Sequence, residues 1–156
     1  MGCVSLVAAT RNDMPTIWKM QIEAFSELLE KYKNDDRSPG AESLDRATAK
    51  HEQPWTTYDF IVAGNKNVGA VRIIDRKDGS RKRIFPIRII PEHRNKGYAQ
   101  AAIIAAEQIY GSKHWCLDTI LQETENLHLY EKMGYCPSAQ IEKINDPMSI
   151  VFQKKD

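Results

Sequence analysis

Apolar and polar positions along the chain follow two periods, and the changes of period divide it into helices and strands. Apolar residues recur at three- and four-residue spacing from Ile17 to Tyr32, which predicts a helix that buries one face. Asp13, just before it, is predicted to cap this helix. Further helices are predicted at 41–52, 97–110 and 125–135, and a polar loop at 34–40. Short apolar runs predict strands at 4–10, 58–64, 68–75, 81–90, 115–121, 140–144 and 149–153. The predicted order is β-α-α-β-β-β-α-β-α-β-β.

A proline interrupts one predicted strand. Pro86 stands in the middle of 81–90, where it has no N–H to donate to a neighbouring strand. It therefore predicts an edge, a bulge or a place where the sheet opens.

Composition restricts the class of protein without naming a function. The chain has 156 residues, of which 42% are hydrophobic and 28% are charged, and this favours a single domain that comprises residues 1–156. The net charge of +1 gives no reason to expect nucleic-acid binding. No apolar run is long enough to cross a membrane, and the N-terminal residues lack a secretory pattern. The three cysteines are far apart and form no metal-binding pattern, so we expect reduced thiols, no metal and a cytoplasmic location.

The segment from Pro91 to Gly111 carries the clearest chemical signal. It joins an apolar strand to an alanine-rich helix through a turn that holds Arg94, Lys96 and Gly97. The first N–H groups of a helix are unpaired and lie at the positive end of its dipole, where phosphate binds well. A glycine lets the backbone approach a ligand closely. The alternative interpretation is an ordinary turn with a solvated basic surface.

This turn lacks the GxxxxGK[ST] and GxGxxG patterns of two common phosphate loops. Instead, Arg94-Asn95-Lys96-Gly97-Tyr98-Ala99 resembles the (Q/R)xxGx(G/A) signature of the GNAT family of acetyl-CoA-dependent N-acetyltransferases. The run Leu129-Tyr130-Glu131-Lys132-Met133-Gly134-Tyr135 is similar to a second family motif, LYEKxGF. The element order agrees with that fold over essentially the whole chain.

The resemblance implies a fold and a cofactor. The fold is a mixed α/β single domain whose central, mostly antiparallel sheet splays at a cofactor cleft. Acetyl-CoA is the acetyl donor: its pyrophosphate lies on the loop, and its pantetheine arm pairs like an extra strand with 87–90. The residues so implied in cofactor binding are Ile89, Ile90, Arg94, Asn95, Lys96, Gly97, Tyr98, Ala99, Gln100 and Asn126.

The resemblance also implies a catalytic residue, Tyr130. A phenol with an ordinary pKa of about 10 is protonated at neutral pH and can give a proton to the departing thiolate. The alternative is an aromatic ring that packs a short helix on the sheet. Many family members have an asparagine seven positions before this tyrosine; here that position is Glu123, and Asn126 either reaches the cofactor or caps the helix.

Other roles stay open at this stage. We expect a backbone N–H near Ile89 to bind the oxyanion of the tetrahedral intermediate. The candidates for a general base are Asp75, Glu92, His93, Glu123 and His128, and Trp55 and Arg72 either line the acceptor pocket or are structural.

Three functions compete on this sequence. The leading one is an enzyme, monomeric or homodimeric, that acetylates a primary amine of a small molecule or peptide by direct attack on the thioester. The second is a non-catalytic acyl-CoA-binding or sensing domain. The third is a protein-interaction domain with a basic surface loop.

Overall fold

The computed structural model describes residues 3–33 and 38–156, and within them it confirms the predicted order of elements. Residues 34–37 of the predicted polar loop lie outside the described residues. The helices are α1 Met14–Tyr32, α2 Leu44–His51, α3 Tyr98–Tyr110 and α4 Thr124–Lys132. The strands are β1 Ser5–Ala8, β2 Thr56–Ala63, β3 Lys66–Ile74, β4 Lys82–Ile89, β5 Trp115–Ile120, β6 Cys136–Asn145 and β7 Met148–Lys155.

These strands form one sheet in the order β1-β2-β3-β4-β5-β7-β6. Neighbouring strands are antiparallel except β4 and β5, which are parallel. The helices cover both faces, because each face of the sheet carries apolar side chains that need burial. Buried side chains of α3 pack on one face, and those of α1 and α2 pack on the other. None of the helices described here is long and apolar enough to cross a membrane.

The sheet opens between its two parallel strands. β4 and β5 pair only at Lys82 with Trp115 and at Arg83 with Cys116, although β4 continues to Ile89. On its other side, β4 pairs with β3 through a bulge. Ile84 lies opposite Ile73 and Ile87 lies opposite Val71, so two residues of β4 stand where β3 has one. Pro86 lies within this bulge. Of the three alternatives predicted for this proline, an edge, a bulge or an opening of the sheet, the structure shows the bulge and the opening.

Two local predictions differ from the structure. The terminal strands β6 and β7 are longer than predicted. Because β7 pairs with β5 on one side and with β6 on the other, polar residues at the strand ends are also paired, although their sequence shows no strand pattern. Asp13 is the residue before α1, as predicted, but its carboxylate accepts hydrogen bonds from Thr10, at 2.8 Å from the amide nitrogen. It therefore fixes the turn before the helix instead of capping α1.

Candidate active site

The loop before α3 presents backbone N–H groups toward a common region. Asn95 and Gly97 have positive φ values of 63° and 78°, which reverse the chain sharply before the helix begins. The first bond within the helix runs from the Ala101 amide to the Gly97 carbonyl at 3.0 Å. The amides from Tyr98 to Gln100 therefore precede the hydrogen-bonded part of α3, and no side chain caps them among the described residues. This arrangement suits an anion.

Arg94 ties this loop to the rest of the fold. Its guanidinium donates to the carbonyl of Ala24 in α1 at 2.6 Å and to the carbonyl of Ile89 at 3.3 Å. The guanidinium keeps its positive charge beside the loop, and its side chain bridges α1 and β4. Lys96 is exposed.

The end of β4 offers a backbone edge whose N–H groups pair with no neighbouring strand among the described residues. Ile90 donates its amide hydrogen to the Val68 carbonyl at 2.8 Å, and Ile89 lies opposite Gly69. Because hydrogen-bonded and non-hydrogen-bonded pairs alternate along antiparallel strands, the backbone groups of Ile89 point away from β3. The same alternation applies to Ile87. Both residues therefore direct their N–H groups toward the opening beside β5.

A cavity of about 470 Å³ lies along this edge. Its wall includes nine of the predicted site residues: Ile89, Arg94, Asn95, Gly97, Tyr98, Ala99, Gln100, Asn126 and Tyr130. The two predicted site residues outside that wall are Lys96 and Ile90. The Ile90 amide donates to the Val68 carbonyl, and the Ile90 side chain packs in the cluster under α1 and α2.

A smaller cavity of about 210 Å³ lies between β4 and β5, where the two strands separate. It is lined mainly by apolar side chains, and the ion pair of Arg83 with Asp118 stands in its wall. The residues common to both cavities are Phe25, Leu28, Ile87, Asn126 and Tyr130. The two cavities therefore adjoin at Tyr130.

Tyr130 combines a packed ring with a position on both cavities. Its ring stands edge-on to that of Tyr135, with 6.2 Å between centroids, and packs against the core beneath α3. Burial raises the pKa of Tyr130 to about 12. The hydroxyl is therefore protonated at neutral pH, and it ionises at higher pH than the ordinary value assumed from the sequence. The structure makes Tyr130 a packing residue that is also placed at the cleft.

Asn126 and Glu123 occupy different places from those that the sequence suggested. The residue before α4 is Glu123, so Asn126 is not the N-cap, and that alternative is wrong. Asn126 lies in the first turn and lines both cavities. Partial burial opposes ionisation of Glu123, but hydrogen bonds from Lys31 and Tyr32 prevail and lower its pKa. Glu123 therefore joins the end of α1 to the start of α4 at the wall of the larger cavity.

The structure separates the general-base candidates. His93 and Glu123 line the larger cavity, whereas Asp75, Glu92 and His128 line neither of the two cavities. Trp55 and Arg72 also lie outside both walls. Arg76 stacks on the Trp55 ring, and Arg72 is buried in the sheet under α1 and α2.

Sequence reasoning missed two contributors to the site. One is the wall that α1 supplies through Ala24, Phe25, Glu27 and Leu28, for which the apolar face of the helix was the only signal. The other is Arg88, a buried arginine that lines the larger cavity. Its signal was a charged residue within the otherwise apolar run from Ile84 to Ile90.

Comparison with known proteins agrees with this geometry. The model of the Acetyltransferase (GNAT) family matches residues 16–135. The chain belongs to the GNAT family. It is therefore an N-acetyltransferase, and its splayed sheet is the GNAT fold. The search of curated protein sequences found no match.

Solved structures share this GNAT fold at low identity. Spermidine N-acetyltransferase from Vibrio cholerae, in complex with CoA and spermine, is 21% identical with a TM-score of 0.73, over 96% of this chain and 93% of that one. The ribosomal-protein-S18-alanine N-acetyltransferase from Escherichia coli is 13% identical with a TM-score of 0.72, over 96% and 91%. PaiA N-acetyltransferase from Thermoplasma acidophilum, in complex with coenzyme A, is 14% identical with a TM-score of 0.67, over 98% and 99%.

Proposed function

We propose that this GNAT protein transfers an acetyl group from acetyl-CoA to the primary amine of a small-molecule or peptide acceptor, by direct attack on the thioester. The observation that carries the proposal is the unpaired edge of β4, which borders a cavity that runs from the loop before α3 to Tyr130. That edge and loop offer N–H donors for an amide-rich, phosphate-bearing cofactor.

Two features support acetyl-CoA as the donor. The loop residues Arg94 to Ala99, followed by Gln100, place several unpaired amides at the positive end of α3, where the pyrophosphate would bind. The backbone groups of Ile87 and Ile89 face the opening, so the amides of the pantetheine arm would add to β4 as a further strand. The Vibrio cholerae and Thermoplasma acidophilum relatives were both solved with CoA.

The chemistry of the transfer follows from where these groups lie. The neutral amine attacks the thioester carbonyl, forming the C–N bond, and the Ile89 amide stabilises the resulting oxyanion. When the intermediate collapses, the C–S bond breaks and the Tyr130 hydroxyl gives its proton to the sulfur. The proton lost by the amine leaves through a base or a water chain, for which His93 and Glu123 are the candidates in the cavity wall. Tyr130 regains a proton before the next turnover.

Steady-state release of free thiol from acetyl-CoA with a panel of amines tests this proposal. The panel should include amino acids, aliphatic amines, polyamines, aminoglycosides and peptides with free N-termini. We expect amine-dependent thiol release with at least one class and stoichiometric N-acetyl product. Binding of acetyl-CoA without any amine-dependent release would instead favour the non-catalytic acyl-CoA-binding domain.

A further inference from the structure

Three polar side chains are buried side by side on the sheet face that α1 and α2 cover. Tyr58 lies directly opposite Arg72 in the β2–β3 pair, and Arg88 lies opposite Ala70, two residues along β3 from Arg72. Side chains two residues apart on a strand share a face, so all three point to the same side. Their exposed fractions are only 1% for Tyr58, 7% for Arg72 and 3% for Arg88.

The two guanidinium groups are poorly satisfied. Arg88 makes one long hydrogen bond, from Nη1 to the Pro86 carbonyl at 3.4 Å, and Arg72 makes bonds of 3.4 and 3.5 Å to Gln53 and the Phe85 carbonyl. Within the described residues, Nε and Nη2 of Arg88 and Nε of Arg72 are buried without a partner. Buried polar groups are usually hydrogen-bonded, so this concentration of unused donors calls for an acceptor.

The charges of the cluster do not balance among the described residues. The Glu42 carboxylate interacts electrostatically with both arginines. It already accepts hydrogen bonds from Lys50 and, at 3.0 Å, from Gln21. Burial raises the pKa of the Tyr58 phenol, so that group is neutral. Two cations are thus buried against an anion that another cation has already neutralised. An unpaired buried charge is costly unless a ligand supplies its partner.

Arg88 connects this cluster to the candidate active site. It lines the larger cavity together with Ala24 and Phe25 of α1, and Tyr130 lines the same cavity. Its side chain alternates with Ile87 and Ile89, whose backbone edge would hold the cofactor arm. A ligand group that reaches Arg88 therefore comes from the α1 side of the sheet, away from the phosphate loop.

We infer that Arg88, with Arg72 behind it, binds a carboxylate of the acceptor, so that the substrate is an amine that also carries a carboxylate, as amino acids do. This inference rests on the proposed amine acetylation. An Arg–carboxylate pair has the geometry and charge that the unused donors require. A polyamine has no anion and would meet two like charges.

Matched pairs of substrates test the inference directly. Each pair is an amino acid and the amine left after removal of its carboxylate, such as β-alanine with ethylamine, 4-aminobutyrate with n-propylamine, and L-phenylalanine with 2-phenylethylamine. We expect kcat/KM to be about 10–100-fold higher for the carboxylated member of at least one pair. A wild-type preference for the decarboxylated amines or for polyamines would overturn it.

The variant Arg88→Met tests the residue itself. It keeps an unbranched, flexible side chain and removes the guanidinium, so we expect the preference within the favoured pair to fall at least tenfold, through a higher KM for the carboxylated substrate. Arg11→Met is the matched control, because Arg11 is exposed and pairs with exposed Glu52; it should keep the preference. If Arg88→Met instead raises the KM for acetyl-CoA alone, the anion belongs to the cofactor and the inference fails.

Two further measurements keep the result interpretable. The Tm of Arg88→Met should fall by less than about 3 °C, since among the described residues the guanidinium loses one long hydrogen bond to Pro86 and a contact with the Tyr58 ring. A variant that stays folded in this way makes the lost preference a property of the site. If no amine is acetylated, the proposed function fails, and calorimetry with N-acetyl-amino acids in the presence of CoA still tests the carboxylate site. Binding by the wild type that Arg88→Met abolishes would support that site; no binding would overturn it.

Discussion

Arg94 donates a hydrogen bond to the carbonyl of Ala24 at 2.6 Å and so fastens the loop before α3 to the middle of α1. The bond spans 70 positions of the chain, and the same guanidinium also reaches the carbonyl of Ile89. The loop whose amides would bind phosphate is therefore held between a helix and the end of β4. Its shape therefore depends on this cation as well as on the positive φ values of Asn95 and Gly97.

Replacing Arg94 by glutamine should weaken acetyl-CoA binding about tenfold, because the loop loses two charge-assisted bonds that hold it in place. The loss should be nearly the same at low and high salt, since the charge acts inside the protein. Lys96→Ala is the comparison: Lys96 is exposed, so its smaller effect should shrink as salt increases. Calorimetry at two ionic strengths checks both. Strong salt dependence of the Arg94→Gln loss would mean that Arg94 meets the phosphate directly.

Gly97→Val should reduce acetyl-CoA affinity at least tenfold while the protein stays folded. Gly97 has a φ of 78°, which strains a β-branched residue, although a Cβ there would contact nothing within 4 Å. The added side chain would instead occupy the space that the ligand approaches. Gly64→Val is a matched control, because Gly64 also has positive φ and open surroundings but lies in the β2–β3 turn. Both variants should lose similar stability, and only Gly97→Val should lose binding; equal affinities in calorimetry would contradict the loop assignment.

Tyr130→Phe should lower kcat by roughly 10²–10⁴-fold with little change in acetyl-CoA affinity, because it keeps the ring and removes the proton donor. Tyr135→Phe is the control: its hydroxyl is also buried, but Tyr135 lines neither of the two cavities. A thioester whose leaving thiol is more acidic depends less on protonation of the departing sulfur, so it should partly restore the turnover of Tyr130→Phe. Full turnover of Tyr130→Phe with a genuine acceptor, when chemistry is rate-limiting, would leave Tyr130 as a packing residue.

The pH dependence of Tyr130 follows from its burial. The phenol donates only while protonated, so its contribution is lost as pH rises through its pKa, which burial raises to about 12. The wild-type rate should therefore show no decline from this group up to about pH 10.5, in contrast to what an ordinary tyrosine would give. A pH–rate series for the wild type and Tyr130→Phe checks this. A high-pH limb near pH 10 that only the wild type shows would mean that the cleft is more hydrated than the structure indicates.

Glu123→Gln should lower the Tm by about 1–3 °C at pH 7, because Glu123 accepts from Lys31 and Tyr32 and so joins α4 to α1. Folding lowers the pKa of Glu123, so this residue stabilises the protein fully at pH values above its pKa in the unfolded state. That stabilisation disappears as pH falls through the pKa of Glu123 in the folded state. The wild type and variant should therefore converge in acid. Glu30→Gln, an exposed glutamate of α1, is the control and should change little. A difference in Tm that does not shrink at all as pH falls would show that the carboxylate charge is not the cause.

The sequence by itself determined the order of the elements and the position of the opening in the sheet. Hydrophobic periodicity is a local property, so it predicted α1 and the meander from β2 to β4 correctly. Pro86 predicted the bulge because proline has no N–H to donate to a neighbouring strand, whichever strand that is. The two motifs were sufficient to indicate the family, since loop and helix-start chemistry is also encoded within a few consecutive residues.

Only the tertiary structure decided which groups share the cleft and what state they are in. The partner of Arg94 lies 70 positions away, the pKa of Tyr130 depends on burial by several elements, and Arg88 meets Arg72 only because β3 and β4 pair in one register. Asn126 is not a cap because α4 begins one turn earlier than its asparagine suggested. Each of these depends on distances between segments remote in the chain, and hydrogen bonding and desolvation act over those distances rather than along the sequence.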